Sequence, residues 1–145
     1  MDFLNRLYVA VTELHPTHPM FVHFAIALSG AAFLFILLAW WRNSSSLEQA
    51  AFANIVLAAI STVVAGFTGI MDNARNYEGE APNASTKILL ASLLFLLTTG
   101  ISIVRYRNPE LFQKGNRLLY VGAYGLSFAT ALVLAFLGGV ILYGF

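Results

Sequence analysis

The sequence predicts one all-α domain: a four-helix transmembrane bundle with a short N-terminal interfacial amphipathic helix. Four segments contain no Asp, Glu, Lys or Arg, namely residues 19–41, 50–71, 88–104 and 118–145. A helix rises about 1.5 Å per residue and the hydrocarbon core is roughly 30 Å thick, so about 20 apolar residues cross it. The composition agrees, because 59% of the residues are hydrophobic and only 10% are charged, against about a quarter in soluble domains.

The first element is predicted from the spacing of apolar residues within positions 1–14. Five of them recur three or four positions apart and share one helical face: Phe3, Leu4, Leu7, Tyr8 and Val11. This pattern is typical of a helix that lies in the membrane interface. A frayed terminus is the alternative interpretation.

Local signals mark the ends of the four apolar helices. Pro19 suits the first position of a helix, where its missing N–H is not needed. The Trp40-Trp41 pair suits a headgroup boundary, and Asn108-Pro109 ends the third apolar helix. The single integral membrane domain, 1–145, is therefore expected to contain helices at about 19–41, 49–71, 86–104 and 118–143.

Composition also excludes several functions. The chain has no cysteine, which removes disulfides, thiolate catalysis and iron–sulfur ligation by this chain. Its net charge of +1 gives no basic field for nucleic acid. Channels and pumps normally place ionisable residues at mid-depth, and none of the apolar helices has one there. No catalytic set is visible, so we expect a protein without enzymatic activity.

The loop charges predict the orientation. Cytoplasmic loops carry an excess of Lys and Arg. The turns after the first and third apolar helices hold five such residues and the opposite side holds three: Arg42, Arg105, Arg107, Lys114 and Arg117 against Arg6, Arg75 and Lys87. We therefore expect both termini outside a bacterial inner membrane.

All three histidines, His15, His18 and His23, precede or begin the first apolar helix. His18 is expected at the helix start, and His23 about 7 Å deeper. His23 heads a row of small residues, Ala27, Gly30 and Ala31, which favours packing against a neighbouring helix. We therefore predict that His23 faces the interior of the bundle.

Asp72 is the predicted partner of these imidazoles. It ends the second apolar helix, where a carboxylate opposes the helix dipole and needs compensation. Arg75 follows three residues later, and His18 or His23 lies across the same end of the bundle. We therefore predict a cluster of His18, His23, Asp72 and Arg75 at the outer end of the bundle.

Four roles are open for this cluster. The first is a structural role, in which hydrogen bonds join two helix ends. The second is an axial ligand site for haem b or a chlorin. The third is a metal site formed by His18, His23 and Asp72, and the fourth is a site for a quinone headgroup. The five-residue spacing of the two histidines is not the four-residue spacing of a helical metal pair. A haem with two histidine ligands normally takes them from two helices, whereas all three histidines of this chain lie in one segment.

Two motifs resemble a family of small bacterial membrane proteins carried as a domain of unknown function. His18-Pro19-Met20-Phe21-Val22-His23-Phe24 is similar to the family's opening of the first helix, and Thr68-Gly69-Ile70-Met71-Asp72 is similar to the end of its second helix. The resemblance implies a four-helix transmembrane bundle. Some relatives are fused to Rieske-type domains, which implies a link to membrane electron transport.

The chain departs from the family pattern at two places. Ala25 replaces the usual proline, and residues 79–84 lack a histidine that many relatives carry before the third helix. The second departure favours a structural role over a cofactor site. We therefore expect an accessory subunit of a larger respiratory or photosynthetic membrane complex, in contact with lipid and with other subunits or further copies of itself. A redox protein that binds haem or quinone is the alternative.

Overall fold

A computed structural model describes residues 2–9 and 17–143, and every regular element in these ranges is helical. The elements are α1 (Phe3–Val9), α2 (Thr17–Arg42), α3 (Ser45–Asn76), α4 (Ala84–Arg107), α5 (Leu111–Lys114) and α6 (Arg117–Tyr143). The short helix α1 falls in the predicted N-terminal amphipathic stretch. His15 and the rest of residues 10–16 lie outside the described part of the chain.

Four of the described helices are long and apolar enough to cross a membrane: His18–Arg42, Ser45–Asn76, Ala84–Arg107 and Arg117–Val140. This confirms the predicted all-α bundle of four apolar helices. The longest, α3, has 32 residues and is therefore about 48 Å long, which exceeds the hydrocarbon core. In its last turn the Asn76 amide donates to Asp72 Oδ1 at 2.6 Å.

The four long helices form a ring in which each packs against two neighbours. Helix α2 packs against α3 and α6, and α4 packs against the same two helices. Short connections make successive helices antiparallel. We call the end of the bundle where α2 begins and α3 ends the histidine end, and the opposite end, with α5, the arginine end.

The buried face of α2 carries residues spaced three or four apart: Ala25, Ser29, Ala32, Ile36 and Ala39. Two glycines let α2 and α6 approach closely. The Phe128 ring covers Gly30, where an added Cβ would lie 2.9 Å from it, and the Phe33 ring covers Gly125 at 3.1 Å. The two rings are 6.0 Å apart, so each phenylalanine fills the space left by the glycine on the other helix.

Candidate functional site

The His18 side chain joins the first turn of α2 to α3. Its Nδ1 lies 3.0 Å from the Ala65 carbonyl oxygen and 3.4 Å from Thr68 Oγ1. A carbonyl oxygen only accepts hydrogen bonds, so Nδ1 carries the proton. In the neutral imidazole, Nε2 is then left with an available lone pair.

Gly69 provides the space for this contact. A Cβ at position 69 would lie 2.8 Å from His18 Cε1, closer than real side chains approach. The Thr68 hydroxyl donates to its own helix, at 2.9 Å from the Val64 carbonyl. The Thr68-Gly69 step of the second motif therefore has a physical purpose, because it offers the imidazole both a polar neighbour and an empty surface.

Asp72 and Lys87 add charge beside His18. The Asp72 carboxylate and the Lys87 ammonium both act electrostatically on the imidazole, and they act on each other. Asp72 accepts its hydrogen bond from Asn76, while His18 bonds to the backbone of α3. The structure thus brings His18 and Asp72 to one end of the bundle and adds Lys87 from α4, which was not predicted to join this cluster.

The prediction that His23 faces the interior was wrong. His23 is exposed, as is Ala27 one turn later. The buried face of α2 includes Ala25, and two residues along a helix turn the side chain through about 200°. Small residues occur on more than one face of α2, so their presence beside His23 did not identify the packed face.

Arg75 is also exposed, whereas His18 is half-buried. No group of three or more His, Asp or Glu side chains suited to a metal ion occurs among the residues that the structure describes. The geometry therefore does not provide the metal site of His18, His23 and Asp72 considered above. Of the predicted cluster, Asp72 acts electrostatically on His18, although the hydrogen bonds of both side chains go to other groups of α3.

A second polar cluster lies at the arginine end, and it was not predicted from the sequence. Glu48, near the start of α3, is only 3% exposed. Its two carboxylate oxygens accept from Arg105 of α4, with Nε–Oε1 at 2.5 Å and Nη2–Oε2 at 2.9 Å. Such a paired fork is the strongest arrangement of a guanidinium and a carboxylate.

Two tyrosines of α6 complete this cluster. The Tyr120 hydroxyl donates to Glu48 Oε1 at 2.9 Å, and the Tyr124 hydroxyl lies 3.1 Å from the Tyr120 hydroxyl. Tyr120 has a single proton and gives it to Glu48, so Tyr124 is the donor in the second bond. The cluster therefore links α3, α4 and α6 through one buried carboxylate.

Aromatic rings enclose the ion pair. The Phe52 ring lies 5.3 Å from the Arg105 guanidinium carbon. The rings of Tyr120 and Tyr124 meet edge to face at 5.2 Å, and Phe112 of α5 lies 6.3 Å from Tyr120. The sequence signal was the four-residue spacing of two tyrosines in an otherwise apolar helix, because a buried hydroxyl requires a polar partner.

These features define the class of protein: a multi-pass membrane protein of four apolar helices, in which His18 bonds α2 to α3 at one end and Glu48 links α3, α4 and α6 at the other. The chain belongs to the family described as predicted membrane protein (DUF2231), whose model matches residues 14–144. No curated protein and no solved structure matches the chain.

Proposed function

We propose that this protein is a non-catalytic accessory subunit, which packs against other subunits of a larger respiratory or photosynthetic complex in a bacterial inner membrane. The observation that carries this proposal is the outward position of His23. The backbone of His23 lies about 26 Å along α2 from that of Trp40, which is less than the roughly 30 Å of the hydrocarbon core. An imidazole at that depth is unfavourable unless it has a polar partner, and a neighbouring subunit would supply one.

Helical glycines with open space beside them support the same proposal. A Cβ added to any of five helical glycines would meet nothing within 4 Å: Gly66, Gly100, Gly122, Gly138 and Gly139. Among the described residues, their small size is therefore not used for packing, in contrast to Gly30 and Gly125. Glycines in membrane helices allow another helix to approach closely, so these positions suit contacts with further transmembrane helices.

Native electrophoresis of the tagged protein in a mild detergent would test the proposal. We expect wild type to migrate in an assembly much larger than one chain, and His23→Ala to reduce that assembly. Ser92→Ala is the matched control, because Ser92 is also exposed and its hydroxyl donates to the Ile88 carbonyl of its own helix. A wild-type protein that always migrates as a single chain would contradict the proposal.

A second candidate function is haem binding at His18, and one observation favours it. The Ala65 carbonyl holds Nδ1, so Nε2 is free to ligate iron. A quinone carbonyl fits less well, because its oxygen requires a hydrogen-bond donor and Nε2 offers a lone pair instead. The visible spectrum of the purified protein separates the two functions: a Soret band that is lost in His18→Ala would favour haem, and a colourless wild type would eliminate it.

A further inference from the structure

Three arginines at the arginine end have no carboxylate partner among the described residues: Arg42, Arg107 and Arg117. The other two basic residues there are paired. Arg105 binds Glu48, and Lys114 lies 2.7 Å from Glu110. Both carboxylates at this end are therefore already used, and the positive charge of the three arginines is not neutralised within the described chain.

The ring of helices places these arginines around the start of α6. Arg117 begins α6, Arg42 ends α2 and Arg107 ends α4. Because α6 packs against both α2 and α4 and runs antiparallel to them, its first residue lies at the same end of the bundle as the last residues of its two neighbours. We call these three residues the arginine belt.

Arg117 is held in position by α5. Its Nε donates to the Phe112 carbonyl at 2.8 Å, and its guanidinium carbon lies 4.9 Å from the Phe112 ring. The two terminal nitrogens remain available in a fixed plane, which matches two oxygens of a phosphate. A cation at the first residue of a helix opposes the helix dipole, so a bound anion there would be doubly favourable.

Aromatic residues place the belt at the depth of lipid headgroups. Trp41 and Tyr106 are 80% and 78% exposed, and they directly precede Arg42 and Arg107. Trp and Tyr side chains concentrate at membrane–water interfaces. The Arg42 guanidinium carbon lies 5.9 Å from the Trp41 ring, so the charge and the interfacial ring occupy the same level.

The residues after Arg117 are apolar and point outward. Leu118 and Leu119 are 66% and 71% exposed. An acyl chain that descends from a headgroup at Arg117 would lie along these side chains, whereas a free phosphate ion has nothing to place there. The combination of unpaired guanidinium groups above and exposed leucines below therefore suits a lipid.

We propose that the arginine belt binds the phosphate of an anionic phospholipid, with Arg117 as the central contact and Arg42 and Arg107 flanking it. The site discriminates by charge: an anionic lipid adds net negative charge to the three arginines, and a zwitterionic lipid of the same chain length does not. This inference does not depend on the proposed accessory role, because it concerns the lipid boundary of the chain itself.

Native mass spectrometry of the purified full chain would test this proposal. Phosphatidylglycerol and phosphatidylcholine with identical acyl chains would be titrated against wild type and Arg42→Gln/Arg107→Gln. These two arginines are exposed, so their replacement preserves the packing, whereas Arg117 also holds Phe112. Each arginine removed is expected to weaken phosphatidylglycerol binding about fivefold, and phosphatidylcholine binding should be unchanged.

Arg75→Gln is the control, since it removes the same charge from an exposed position at the histidine end. An equal loss in Arg75→Gln, or unchanged preference for phosphatidylglycerol in the double variant, would overturn the proposal. Displacement of the lipid by millimolar inorganic phosphate would also overturn it, because the site would then recognise the anion without its acyl chains.

Discussion

Replacement of Glu48 by glutamine tests whether the buried ion pair holds the arginine end together. The Glu48 carboxylate accepts three hydrogen bonds, two from Arg105 and one from Tyr120. The side chains of the pair are 4% and 12% exposed. Removal of one member of a buried pair leaves the other charge uncompensated, which costs about 3–5 kcal/mol. We expect Glu48→Gln to lower the free energy of unfolding by about 3 kcal/mol, the lower end of this range, because Arg105 lies near a helix end.

The free energy of unfolding would be measured by titration of the purified protein with sodium dodecyl sulfate in mixed micelles. Glu48→Gln and Arg105→Gln should each be strongly destabilising. The double variant should lose less than the sum of the two, with a coupling of about 2 kcal/mol. Lys114→Gln is the control: its exposed pair with Glu110 should contribute less than about 1 kcal/mol.

Two results would refute this reasoning. The first is strict additivity of Glu48→Gln and Arg105→Gln, which would mean that the two side chains do not interact in the folded protein. The second is a loss in Glu48→Gln as small as that in Lys114→Gln, which would mean that the carboxylate is hydrated.

Two further predictions concern the histidine end and the orientation. Gly69→Ala places a Cβ 2.8 Å from the His18 ring and should destabilise by about 1–3 kcal/mol, whereas Gly66→Ala meets open space and should be neutral or slightly stabilising in the same titration. Because the chain has no native cysteine, single cysteines at the exposed positions Glu78 and Gln113 are unique labels. An impermeant maleimide added to intact cells should modify Glu78→Cys and not Gln113→Cys, and the reverse pattern would contradict the proposed orientation.

The fold was predictable because membrane helices are specified by length and hydropathy. Length and hydropathy alone predicted the helices at 19–41 and 118–143. The observed α2 begins two residues earlier and ends one residue later, and α6 begins one residue earlier. The C-terminal end of α3 was harder to predict. The helix continues to Asn76 through a polar last turn that contains the bond from Asn76 to Asp72, and hydropathy does not register such a turn.

The histidine end was predictable in part. The sequence predicted that His18 or His23 meets the end of the second apolar helix at Asp72, and the structure shows the His18 ring against Gly69 of that helix. The partner atom was not predictable, because a backbone carbonyl leaves no trace in the sequence. The prediction that His23 faces the interior was wrong because small residues occur on more than one face of α2 and therefore do not identify the packed face.

The Glu48–Arg105 pair was not predictable from local patterns. Its members are 57 residues apart, and each lies at a helix end, where a charged residue is normally solvated. The packing of α4 against α3 and α6, with the α6 tyrosine that bonds Glu48, removes both from water. A buried pair of this kind requires knowledge of which helix ends meet, and hydropathy does not contain that information.

Photo-crosslinking from the His23 side of α2 is the most direct test of the accessory role. Ala27 is exposed and lies one turn from His23, so a benzoylphenylalanine there leaves the imidazole in place, and the same group at the exposed Ser92 of α4 is the control. In native membranes we predict a discrete, protein-containing adduct from position 27 that is lost in His23→Ala. If position 27 yields adducts with lipid alone, the outward imidazole has no protein neighbour and the proposed role is contradicted.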